Sequence, residues 1–436
     1  MSEDQDFEWY RDFIDLSYTP GTHDVIAVFK VRPAPGVSLA DAAGRVASES
    51  SVGTWTTLTT LKDHIKNLMA KVYYMSEDGL IKVAYPLDLF ELGSIPQLFS
   101  SLLGNIFGMR AIKALRVIDI KFPEKYVKSF LGPQFGVKGV RDILKVHGRP
   151  ILATVPKPKV GLTTEEYAQV AYEIATGGVD LIKDDENLTS QSFNKFEKRL
   201  AAVVKALEKA EKETGERKGY LVNITAETRE MLRRMKAVAD HGNNFIMIDI
   251  LCAGWAALQT VREEAEDLKL AIHAHRAFHA AFTRSKEHGV SFYLIAKIAR
   301  LAGVDHIHVG TNVGKMEADM AELRETVNVM TREEFKPEAK SIKETQKWYG
   351  LKPVLPVASG GLHPGILHQV LDFMGVDILI QVGGGVTGHP WGTRAGGMAV
   401  RQAIEAYLSN TPLEEYAKTH KELSEALRKW GHVRPK

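Results

Sequence analysis

Cysteine is almost absent from this chain: Cys252 is the only one in 436 residues. One thiol cannot close an internal disulfide or build a thiolate zinc cluster, so the composition points to a reducing compartment. Neither sign of charge is in excess, since 56 Lys+Arg against 54 Asp+Glu leave +2. That excludes a global basic field for nucleic acid, while a focused patch for a small anion stays compatible with it. No run approaches the ~20 apolar residues that a bilayer crossing needs. The acidic opening MSEDQDFEWYRDF has no apolar stretch of the secretory-signal kind. Low-complexity segments and solenoid repeats are also missing. The expectation is a cytoplasmic protein without nucleic-acid or membrane partners. What is present is ordinary for a globular chain, at 44% apolar and 25% charged residues. The length allows two or three domains, or one barrel-sized domain with a smaller companion.

Periodicity divides the chain. Residues 1–135 read as an α+β unit. Strands are expected over 24–33, on both sides of a Glu77-Asp78-Gly79 turn within 71–86, and over 115–123. Helices are expected over 38–50, with Ser38 as N-cap, and from 94 onward, with Pro96 near the start. The order βαββαβ predicts a small ferredoxin-like sheet with helices on one face. From about Gly148 onward strands and amphipathic helices alternate. The strand segments are PILATVPKP, VDLIKDD, GYLVNIT, FIMIDIL, LAIHAHRA, VDHIHVG, VLPVASGG and VDILIQVGGG. Thr163 and Glu166 form a capping-box pattern before one of the intervening helices. Eight strand–helix pairs in series favour a closed (β/α)8 TIM barrel, over 136–411, against an open doubly wound sheet. A charged insertion is expected over 332–353 and a helical tail over 412–436.

Reacting groups of such barrels lie at the C-terminal ends of the strands. There the second strand carries Lys183, Asp184, Asp185 and Glu186. Alternation places Lys183 and Asp185 on one face, with Glu186 joining them beyond the strand. Oxygen ligands of this kind suit a hard cation such as Mg²⁺, although a run of charge is often just a solvated loop. The first strand ends in Lys157-Pro158-Lys159. Both lysines are expected on one face, with Lys183 nearby, lowering one another's pKa by repulsion. The alternative is surface snorkelling. His273 and His275 share a face, as do His306 and His308; they read either as hydrogen-bonded core residues or as zinc ligands. Arg276 suits bidentate phosphate binding. Ser359-Gly360-Gly361 and Gly383-Gly384-Gly385 at the last two strand ends form candidate phosphate cradles. Lys315, in GTNVGKMEA, sits on a glycine-flanked loop. Its spacing is not that of a P-loop, and it reads as a lid.

Together the strings GGVDLIKDDEN, IHAHRAFHA, DHIHVGTNVGKMEA, PVASGGLHPG and LIQVGGGVTGHPWG resemble the large subunit of ribulose-1,5-bisphosphate carboxylase/oxygenase. ESSVGTWTT and LGNIFG are similar to its N-terminal region, and the likeness runs in order over nearly the whole chain. The compact length and the VPKPK and AHAHRAFHA variants resemble the archaeal form III branch. The resemblance implies carboxylation of ribulose 1,5-bisphosphate to two 3-phosphoglycerates through a Mg²⁺-stabilised enediolate, with O₂ as competitor. It implies CO₂ capture by Lys183 as a carbamate that holds Mg²⁺ with Asp185 and Glu186. His275 is implied as proton relay, Lys157 as the final acid and Lys315 as stabiliser of the new carboxylate. Substrate contacts are implied for Lys159, Arg276, His308, Ser359, Gly360, Gly361, Gly383 and Gly384. Glu49, Thr54, Trp55 and Asn105 are implied to reach a partner subunit's site. The implied assembly is a homodimer with shared sites, open to rings of dimers and needing no small subunit. The implied setting is archaeal nucleotide (AMP) salvage.

There are departures from the plant-type pattern. Val155 stands where that pattern has Thr, with Thr154 one place earlier. Val309 stands where Ser is common, and the lid carries Asn312, Met316 and Ala318. The competing readings are a non-carboxylating enolase or isomerase of a sugar phosphate, a zinc hydrolase and a non-catalytic sugar-phosphate sensor. Lys183→Ala is expected to abolish activity yet leave folding intact, on the premise that a strand-mouth lysine packs little.

Overall fold

The computed structural model describes residues 8–54, 56, 58–313 and 319–434. Trp55 and Lys315 lie outside the described residues, as do Met316 and Ala318 of the lid motif. By contact the chain divides into two units: Met1–Leu131 with Phe278–Leu301 and Arg332–Leu351, and Gly132–Ala277 with Ala302–Thr331 and Lys352–Lys436.

The first unit is built on a sheet of β1 (Val25–Pro33), β2 (Lys71–Met75), β3 (Leu80–Tyr85) and β4 (Ile112–Lys121), extended by β10 (Gly289–Val290). The order is β10-β4-β1-β3-β2. Its first four strands pair antiparallel, and β10 joins the β4 edge in parallel. Helices Leu39–Glu49 and Ile95–Leu103 follow β1 and β3, which is the ferredoxin-like order expected above. Ser38 caps the first helix by accepting from Asp41 N–H, and Ser94 caps the second by accepting from Gln97 N–H. Each bond satisfies an amide that the helix itself leaves unpaired. Segments distant in sequence join this unit through buried polar bonds. Lys297, on helix Phe292–Ala302, donates to Asp119 at 2.7 Å, with both side chains fully buried. Arg300, from the same helix, donates to the carbonyls of Arg332 and Leu351 and lies over the Trp348 ring. The charged insertion contains the two-stranded sheet β12 (Glu334–Phe335) and β13 (Gln346–Lys347).

The second unit is a closed parallel barrel of β5 (Ile151–Thr154), β6 (Leu181–Lys183), β7 (Gly219–Asn223), β8 (Phe245–Asp249), β9 (Ala271–His275), β11 (His306–His308), β14 (Leu355–Ser359) and β15 (Leu379–Val382). Each strand falls within one of the eight segments read from the sequence. Its interior floor is apolar, made of Ile151, Ala153, Leu181, Leu221, Phe245, Met247, Ala271, Leu355, Val357 and Leu379. Val140 and Leu144 of helix Gly136–Leu144 plug it from below. Buried Asp305 ties plug to barrel by accepting the amides of Phe135, Gly136 and Ile272 at 2.8–2.9 Å. The Thr163/Glu166 capping box is formed in full. With the floor closed, inward-facing polar residues collect at the opposite end.

Candidate active site

The end of β6 organises the barrel mouth. Alternation turns Lys183 inward and Asp184 outward. Asp184 is fully buried behind the strand. It accepts from Tyr167 and Tyr220 hydroxyls at 2.7 and 2.6 Å, from Arg199 at 3.1 Å and from Asn223 N–H at 2.9 Å. These bonds pin the strand end, so Asp184 is an anchor, while its neighbours face the mouth. The Lys183 amine donates to the Asp184 carbonyl at 2.7 Å. Lys183 is fully buried, which contradicts the premise that it packs little. Burial depresses its pKa, with Glu186, Asp249 and Asp185 opposing the shift. The like-charge repulsion expected among the lysines is therefore not the cause.

Lys157 instead pairs with Asp185, Nζ to Oδ2 2.9 Å. Burial raises the Asp185 carboxyl, but the bonds from Lys157 and Asn187 outweigh it and hold the pKa below the usual range. β5 has ended at Thr154, so Lys157 and Lys159 do not share a strand face as expected; Lys157 turns to Asp185 and Lys159 is exposed. Val155 is buried and Thr154 Oγ1 is buried without a hydrogen-bond partner. Alternation from inward Ile151 and Ala153 turns Thr154 outward, away from the barrel interior.

The four histidines of β9 and β11 face one another inside the barrel. His275 Nδ1 accepts the Ala277 amide at 3.1 Å, so a neutral ring carries its proton on Nε2. That nitrogen is 3.5 Å from Glu186. Asp249, at the end of β8, lies 3.7 Å from His275 Nδ1. Burial pushes the Asp249 carboxyl up to about 7, with Lys183 pulling it down. His308 reaches Ser359, Nδ1 to Oγ 2.8 Å. His273 and His306 are fully buried, as the core reading expected. Among the described residues no three His, Cys, Asp or Glu side chains converge to hold a metal.

Glycine has distinct uses around the rim. A Cβ on Gly310 would sit 2.8 Å from an Arg276 guanidinium nitrogen, so the missing side chain lets Arg276 in. Burial draws that guanidinium down to about 10, against the pull of Glu322, which leaves it charged at neutral pH. Gly360 and Gly361 follow β14 at φ +112° and +77°, conformations open to glycine but costly for residues with a Cβ. Gly383 directly follows β15, and a short helix, Gly384–Thr387, begins behind it. In the first unit Asn105 donates to Glu49 at 2.9 Å, and Thr54 is half-buried.

Two family models match the chain, one in each of its main regions. Residues 136–430 match the model for the catalytic domain of the ribulose bisphosphate carboxylase large chain, and residues 12–126 match its N-terminal domain. The chain belongs to the ribulose bisphosphate carboxylase large-chain family. A ribulose bisphosphate carboxylase of Pyrococcus abyssi is 51% identical, covering 98% of each chain. One from Archaeoglobus fulgidus is 48% identical, covering 99% of each. The dimeric archaeal Rubisco of Hyperthermus butylicus superposes with TM-score 0.94 at 58% identity, over 97% of this chain and 100% of that one. An octameric Rubisco of Pyrococcus horikoshii, in complex with sulfate, gives 0.92 at 49% identity over 98% of each.

Within this family member the barrel brings together Lys157, Lys183, Asp185, Glu186, His275, His308 and Ser359. Sequence reading passed over Asp249 and Asn223, because FIMIDIL and GYLVNIT look like plain buried strands. The available signal was a polar residue at the last inward position of each. The Asp184–Arg199–Tyr167–Tyr220 network left no such signal, since its members are far apart in sequence.

Proposed function

We propose that this barrel mouth carboxylates ribulose 1,5-bisphosphate to two molecules of 3-phosphoglycerate, with O₂ as a competing reactant. The observation that carries the reading is the wholly buried Lys183 amine, set in the field of Asp185, Glu186 and Asp249. Its depressed pKa enlarges the share of neutral amine, whose lone pair adds to the carbon of CO₂ with loss of a proton, leaving an N-carboxylate. Two carboxylates alone are a poor cage for a hard cation. An oxygen donor on Lys183 would complete the set with Asp185 and Glu186, so the residues present fit Mg²⁺. When bound, Mg²⁺ supplies a Lewis acid for the sugar's C2 carbonyl and C3 hydroxyl.

The remaining work falls to the protein's own groups. His275, its Nε2 beside Glu186, moves the proton released from C3. The Lys157 ammonium, held by Asp185, delivers a proton to C2 at the end. Arg276, His308 and Ser359 hold one phosphate end and its neighbouring hydroxyl. Lys159, Gly360, Gly361, Gly383 and Gly384 receive the other. Lys315 closes over the new carboxylate. Glu49, Thr54, Trp55 and Asn105 complete a second copy's site, so the working unit is a homodimer, with larger rings built from it and no small subunit. Dimeric and octameric relatives support that range. We place the protein in the cytoplasm and the substrate supply in AMP salvage; no helix among the described residues is long and apolar enough to cross a membrane.

The test is fixation of ¹⁴CO₂ by the purified chain with ribulose bisphosphate and Mg²⁺. Label in 3-phosphoglycerate is expected. Turnover of the sugar bisphosphate without label would replace this reading with the enolase or isomerase one.

A further inference from the structure

Three buried histidines form a continuous chain through the barrel interior. His306 Nδ1 is 3.2 Å from His273 Nδ1, and His273 Nε2 is 2.8 Å from His308 Nε2. His308 Nδ1 is 2.8 Å from Ser359 Oγ. At the far end the His306 ring packs on Phe245, and its Nε2 is buried without a hydrogen-bond partner. All three rings stay neutral: burial holds His273 and His308 well below the usual pKa and brings His306 down to about 3.

A neutral imidazole has one donor nitrogen and one acceptor. Each nitrogen–nitrogen contact needs one proton, so choosing the tautomer of one ring chooses all three. Only two states satisfy both contacts. In one, His306 Nδ1–H donates to His273, His273 Nε2–H donates to His308, and His308 Nδ1–H donates to Ser359. In the other every arrow reverses, and an N–H is stranded on His306 Nε2. Stranding a buried donor is rarer in proteins than leaving an acceptor lone pair unused. The first state is therefore favoured. In it Ser359 Oγ accepts from His308, and its O–H is free to donate elsewhere.

We propose that His306 and His273 are positioning residues whose coupled tautomers fix His308 as the donor to Ser359 and so aim the Ser359 hydroxyl as a donor to bound ligand. The inference rests on the reading of Ser359 as a ligand contact, but its test does not depend on activity. It uses full-length, ligand-free protein labelled with ¹⁵N-histidine, in which donor and acceptor ring nitrogens resonate apart. In the unmodified protein the donor-type nitrogens are expected at His306 Nδ1, His273 Nε2 and His308 Nδ1. Ser359→Ala removes the acceptor at one end, leaving a stranded N–H in either state. The His306 Nδ1 signal should then move toward the acceptor type, although residues 359 and 306 do not touch through any bond outside the chain. A reversed or inconsistent pattern in the unmodified protein overturns the proposal, as does a His306 signal indifferent to Ser359→Ala. Absence of carboxylation with the expected ¹⁵N pattern would count against the proposed function alone.

Discussion

Lys183 is the residue on which the proposed chemistry and the observed packing meet. Its full burial means that truncation to alanine would leave a hole among carboxylates, so loss of activity and loss of fold would be confounded. Lys183→Met keeps the volume and removes the amine. ¹⁴CO₂ fixation is expected to fall to background while the urea midpoint moves little; measurable fixation by this variant would refute the assigned role. The buried histidines make a second residue-scale prediction. Their folded pKa values lie below the unfolded value of about 6.5, so below that pH the unfolded chain binds protons that the folded one refuses. Stability is then present above about pH 6.5 and lost as pH falls. The slope is about 1.4 kcal/mol per pH unit for each histidine, or ~4 for three. Urea unfolding between pH 6 and 4.5 should show it, and His306→Asn should remove roughly one histidine's share.

At the scale of elements, the short strand β6 owes its direction to what lies behind it. Tyr167 and Arg199 reach Asp184 from the two helices flanking β6, and Tyr220 from β7. Asp184→Ala would strand a fully buried Arg199 guanidinium. Removing one partner of a buried ion pair costs about 3–5 kcal/mol. We expect the unfolding free energy from urea titration to fall by that amount, with activity falling in parallel because the Lys183 and Asp185 backbone loses its anchor. A change under 1 kcal/mol would show that the strand end holds itself. Thr163→Ala at the capping box is the mild counterpart. It should cost about 1 kcal/mol without altering the activity of the folded enzyme.

For the whole molecule, the Glu49–Asn105 pair lies in the first unit, whereas Lys183 lies in the second. If a site is shared between copies, Glu49→Gln and Lys183→Met are each inactive, yet a mixed dimer has one intact site. Unfolding and refolding the two variants together should restore about a quarter of the unmodified activity, because half the dimers are mixed and each has one good site of two. No recovery, with mixed dimers verified by mass, would place Glu49 outside the partner's site.

The eight barrel strands and the ferredoxin-like order were legible because both depend on local patterns. Buried short strands between capped helices have few other ways to hide their apolar faces. The same holds for KDDE, the histidine pairs and the glycine loops, whose strand-end positions follow from alternation alone. The tertiary structure decided what alternation cannot reach. It turned Asp184 into an anchor, Lys157 toward Asp185 and Lys159 to the exterior, and it brought 278–301 and 332–351 into the first unit. It also joined His306 to Ser359 through two other rings. Hydrogen bonds and burial depend on distances between residues far apart in the chain, and those distances exist only once the barrel has closed.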